Sequence, residues 1–168
     1  MSTQFKKRNS GLSLLETLIY IALLVVVSIV VIEAITLVFR VHKETAAAKS
    51  INTSAMVALE RMTRDIRNGV SIDEANSILQ TSPGKLTVVA GPVTTEFSID
   101  NEKLLVKENG VSQGYLVAGS ATTSLLKFFL ISTTTSKSVK IELSLAVGSG
   151  TDHVTKNFYS TVVLRGSY

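Results

Sequence analysis

The chain contains no cysteine, only two prolines, Pro83 and Pro92, and no glycine between Gly11 and Gly69. Without cysteine there are no disulfides, no thiol catalysis and no Cys-ligated zinc; the compartment stays open, because an exported protein can simply lack disulfides. Histidine is nearly as scarce. His42 and His153 are the only two, and no helix offers a pair of them at metal-binding spacing. His42 reads as a solvated or interfacial residue and His153, after Asp152, as a loop residue. Acid is missing from the first eleven residues, where Lys6, Lys7 and Arg8 supply three of the four net positive charges. The remainder is close to neutral, which gives no electrostatic case for nucleic-acid binding.

The missing helix breakers matter most. With no proline or glycine inside it, residues 12–68 read as one continuous helix, roughly 85 Å long at about 1.5 Å per residue. A chain of 168 residues has room for one domain plus an extra element, and a rod of that length cannot be buried inside such a domain. The mean hydropathy of +0.34 is high, and its cause is local: residues 17–32 are almost wholly apolar. A lipid span needs about 20 apolar residues, and residues 12–39 provide it.

The second half of the rod is amphipathic. Ile51, Ala55, Leu59, Met62 and Ile66 recur at steps of three or four and draw one apolar stripe, the face on which a globular domain packs. Glu60 and Arg64 have the spacing and order of a helical ion pair, Arg64 and Arg67 suit the negative end of the helix dipole, and Gly69 reads as the C′ residue. Ser71 and Glu74 suggest a capping box and a short second helix over 71–79. Beyond a Ser82-Pro83-Gly84 turn, strands are expected at 85–90, 94–100, 103–108, 113–118, 125–132, 138–147 and 156–165. Residues 138–147 alternate most clearly, and 125–132, apolar on both faces, reads as a central strand. Asp100-Asn101 and Asn109-Gly110 look like hairpin turns, and such short connections make the sheet antiparallel.

Two acids interrupt the apolar run. Glu33 lies toward its far end, as an interfacial acid or a packing partner in an assembly. Glu16 is harder to place, because an acid inside a span costs on the order of 2.5–3.5 kcal/mol and is normally paired. The leader cations precede it by eight positions or more. Cleavage after Gly11 would create a positive amino group on Leu12, about one helical turn from Glu16. That amine, or the amine of a neighbouring helix, would balance the acid, and an intermolecular pair would fix the axial register between adjacent rods.

The stretch KKRNSG-LSLLETLIYIALLVVV resembles the class III signal of type IV prepilins: a short basic leader ending in Gly, an apolar first mature residue, and Glu at the fifth mature position. On this resemblance Gly11 is the last leader residue, Leu12 the first mature residue (Phe or Met is more usual) and Glu16 the family acid. Residues 57–72, VALERMTRDIRNGVSI, and the C-terminal NFYSTVVLRGS are similar to the helix end and final strand of minor pilins related to the J-type pseudopilins of type II secretion. Many major pilins carry a helix-kinking proline and a C-terminal disulfide loop; their absence here points to a minor component. The resemblance implies cleavage by a prepilin peptidase, N-methylation of Leu12, and extraction of the helix from the inner membrane into a filament of other pilin or pseudopilin subunits, served by an assembly ATPase and a platform membrane protein. It implies no cofactor.

The expected architecture is therefore α+β, a long N-terminal helix packed on an antiparallel β-sheet domain. Its divisions are a cytoplasmic leader, 1–11; a transmembrane and assembly half-helix, 12–39; an amphipathic half-helix, 40–69; and a β-rich extracytoplasmic domain, 70–168. The main alternative is an uncleaved single-pass anchor for a surface domain with a binding role, which explains the span but neither Glu16 nor the Gly11 junction. A secretory signal peptide fits less well, since the apolar run is longer than the usual 7–15 residues and no Ala-x-Ala site follows. For an enzyme, the run 148–153 lacks the glycine spacing of a nucleotide fingerprint and no nucleophile elbow is present.

Overall fold

The computed structural model describes residues 14–117, 119–133, 136–148 and 153–165. Helix α1 spans Leu14–Asn68. Eight strands follow: β1 (Ser71–Ile72), β2 (Leu86–Ala90), β3 (Val93–Asp100), β4 (Lys103–Glu108), β5 (Val111–Tyr115), β6 (Thr122–Ser132), β7 (Lys137–Val147) and β8 (Val154–Val163). The chain divides into two compact units, residues 1–43 and 44–168, and α1 contributes to both.

The second unit is α+β, as expected. Strands β1 to β5 form one antiparallel meander and β6 to β8 a second antiparallel sheet with β7 in the middle. The C-terminal part of α1 packs on them through Ile51, Ala55, Ala58, Met62 and Ile66, all fully buried with Phe97, Phe128, Ile141 and Leu143. The apolar stripe read from the sequence is thus the packing face, with Leu59 partly buried beside it. Burying each of the three large side chains, Ile51, Met62 and Ile66, contributes roughly 1.5–3 kcal/mol. Small residues complete the face: Ser54 is buried alongside Ala55 and Ala58. Polar ties join the same surfaces. Arg61 donates to Asp65 at 2.6 Å and to Glu108 on β4, Lys156 of β8 donates to Asn52 at 3.3 Å, and the Arg165 amide donates to the Arg67 carbonyl at 3.1 Å.

Four local expectations need correction. Residues 71–79 form no helix. Ser71 and Ile72 pair with Val89 and Val88 of β2, Ile72 is buried, and Asp73 closes a turn by accepting the Asn76 amide at 3.2 Å. Backbone bonds to an existing sheet outcompete a helix too short to repay its nucleation. Glu74 lies 3.7 Å from Lys137 rather than in a capping box. Secondly, β6 is the edge of its sheet, not the centre. It reads as central because residues 78–85 cover its outer edge, with Gln80 and Gly84 amides donating to the Phe128 and Leu126 carbonyls at 2.8 and 2.9 Å. The strand buried on both faces along part of its length is β7, at Leu143, Ser144, Leu145 and Ala146.

Thirdly, Glu60 and Arg64 do not pair; Arg64 lies 3.6 Å from Asp65, whose carboxylate also takes Arg61. Finally, Gly69 does follow the helix, but its φ is not in the left-handed region. It is glycine for space: a Cβ there would sit 2.5 Å from Val88 Cγ1. The hairpin signals fared better. Asn109 and Gly110, with φ of 50° and 80°, form the two-residue β4–β5 loop, as a I′ turn requires. The β3–β4 loop is one residue later than expected, at Asn101 and Glu102 with φ of 47° and 58°.

Candidate membrane span and assembly face

In the first unit, every described residue from Leu14 to Lys43 is exposed. The large apolar side chains among them are roughly half or more exposed, from Val31 at 48% to Leu14 at 84%. The best 18-residue window has a mean hydropathy of 3.0 and none of it is buried. A continuous apolar surface of this kind is not stable in water, whereas its length and composition suffice to cross a bilayer. The chain thus carries one N-terminal helix long and apolar enough to span a membrane. Charge and polarity return together at Arg40, His42, Lys43 and Glu44, all exposed, and mark where the apolar surface stops.

The polar atoms inside this stretch are matched to an environment without water. Thr17 Oγ1 donates to the Leu14 carbonyl at 2.9 Å, Ser28 Oγ to Leu24 at 2.8 Å and Thr36 Oγ1 to Glu33 at 2.8 Å. Each hydroxyl is satisfied by its own helix, the arrangement lipid demands of polar groups. Residue spacing does not mark these bonds in advance, because their acceptors are backbone carbonyls that any helical residue offers.

The carboxylates stand apart from this pattern. Glu16 lies in the first turn of the described helix, where a negative charge suits the dipole, and its Oε1 accepts a hydrogen bond from the Tyr20 hydroxyl at 3.3 Å. Glu33 is exposed on the apolar run. Lys6, Lys7, Arg8, Gly11 and Leu12, the leader cluster and the cleavage junction, lie outside the described residues. The Tyr20 contact was not anticipated, because a tyrosine in an apolar run counts as apolar when patterns are read.

The second unit places its charges differently. The Arg61 guanidinium is raised further above its ordinary value, chiefly by its hydrogen bond to Asp65 and against the opposing effect of partial burial; it acts as a permanent cation tying α1 to β4. Asp73 is held below the usual carboxylate value by hydrogen bonds from the Asn76 side chain and amide. On the outer face of the second sheet, Lys140 lies 5.3 Å from the Phe129 ring and 6.0 Å from the Tyr159 ring and pairs with Glu142 at 2.7 Å. His153 Nδ1 is 3.2 Å from Thr155 Oγ1. Among the described residues no three His, Asp or Glu side chains gather as a metal ion would need. Compared with protein-family models, curated proteins and solved structures, the chain matches none.

Proposed function

We propose that the protein is a structural subunit of the minor pilin or pseudopilin type. It is inserted in the inner membrane by its apolar half-helix, cut after Gly11 by a prepilin peptidase, methylated on Leu12, and drawn into a pilus, competence pilus or type II secretion pseudopilus by an assembly ATPase and platform protein. The observation that carries this reading is an acid, Glu16, set in an exposed apolar helix five residues after a basic, glycine-ended leader.

The chemistry is binding rather than turnover. Helix association inside a membrane gains nothing from hydrophobicity, because lipid is as apolar as the helices; packing and polar contacts decide it. An apolar surface therefore passes from lipid to a bundle of like helices at little cost, and one carboxylate paired with a neighbour's amine selects a single stagger among many. On this reading the second unit is the extracytoplasmic part of the subunit.

Glu16→Ala is expected to insert and to be cut normally but to enter filaments poorly. Membrane fractionation measures the first, and the sedimentable filament fraction the second. Wild-type incorporation of the variant would overturn the assembly role. An uncleaved anchor would show neither cutting nor incorporation in the wild type.

A further inference from the structure

We propose that Tyr20 is the positioning residue of the Glu16 carboxyl group, orienting it by a hydrogen bond within the apolar half-helix. The inference rests on reading Glu16 as an assembly contact, and it names what holds that contact in place. Helical side chains lean toward the N-terminus, over the turn that precedes them, so Tyr20 reaches back across one turn to residue 16. Thr17, Ser28 and Thr36 are short enough to bond a carbonyl of their own helix, and they do. A phenol hydroxyl lies too far from the backbone for that, and in an apolar medium it still needs an acceptor. The Glu16 carboxyl group supplies it at 3.3 Å. The phenol hydroxyl thus finds its acceptor on a side chain of its own helix.

The Tyr20 contact orients the carboxylate through one acceptor position. The separation is long for an O–H···O bond, the donor is neutral, and a carboxylate offers about four acceptor positions. An approaching ammonium group therefore meets an acid whose direction is already restricted by a neutral donor. Orientation before the encounter removes part of the rotamer entropy that pairing would otherwise cost.

The test uses the full-length chain in phospholipid vesicles. Difference infrared spectra identify the carboxyl band of Glu16 as the one lost in Glu16→Gln. Tyr20→Phe, which keeps the ring and removes the hydroxyl, is expected to shift that band; an unmoved band overturns the proposal. In assembling cells, Tyr20→Phe is expected to lower incorporation roughly threefold, the scale of one hydrogen bond between or within membrane helices, and to change nothing further in a Glu16→Ala background. Equal losses in both backgrounds would assign Tyr20 to ring packing and overturn the positioning role. A shifted band together with normal incorporation of Glu16→Ala supports the Tyr20 contact and overturns the assembly reading instead.

Discussion

Gly69→Ala separates two physical reasons for a glycine at the end of a helix. If Gly69 were needed for a left-handed cap, any side chain would be penalised wherever it pointed. Its φ is outside that region, and the obstacle is a neighbour: an added Cβ would lie 2.5 Å from Val88 Cγ1 and 3.1 Å from the Ile66 carbonyl. Carbon atoms in contact normally sit about 3.5–4.0 Å apart, so one partner must move by about 1 Å. Val88 is 1% exposed and its backbone is paired on both sides, with Ile72 and Thr95. Overpacking of this kind costs roughly 1–3 kcal/mol. It is offset by roughly 0.4–1 kcal/mol from the lower entropy of the unfolded alanine chain. A net loss of about 1–2 kcal/mol should appear in urea unfolding of the full chain in detergent micelles, followed by tyrosine fluorescence. Val88→Ala alone should cost about 2 kcal/mol. The double variant should cost less than the two together by about 1 kcal/mol or more, because the clashing methyl has gone. Additive losses, or a Gly69→Ala protein as stable as the parent, would refute the close-approach argument.

Other consequences follow from the charges of the second unit. Arg61→Ala should destabilise by about 1–2 kcal/mol, more than an exposed ion pair and less than a buried one, since Asp65 and Glu108 both keep some contact with water; unfolding midpoints measured at low and high salt should show the loss shrinking with salt. Asp73 has a depressed native value, so its contribution is present above its ordinary 3.8 and is lost as pH falls through the native value. Asp73→Ala should therefore flatten the fall in stability below about pH 4, and an unchanged acid limb would contradict that.

The fold was readable where a physical signal repeats. One uninterrupted run without proline or glycine gave α1, three-four spacing gave its packing face, and alternation over 138–147 gave β7. Asn109-Gly110 gave a turn because those two residues tolerate positive φ. What escaped depends on partners that a local pattern does not contain. Gly69 is set by Val88, a residue 19 positions away; the edge of β6 is covered by residues 78–85; Ser71 and Ile72 extend β2 rather than start a helix. Ser54 and Ala58 are buried because they are small enough for a close approach to the sheets. Glu16 was legible as an acid set in an apolar run. Tyr20 was not, because its ring fits the apolar pattern and only its hydroxyl reveals the contact.

The central claim is that this helix enters its assembly with a new terminus one turn from Glu16. N-terminal sequencing, with intact mass, of the protein extracted from membranes of its native cells tests it most directly. The account predicts a chain that starts at Leu12 and carries one added methyl group. A functional chain that starts at Met1 or Ser2 would contradict it.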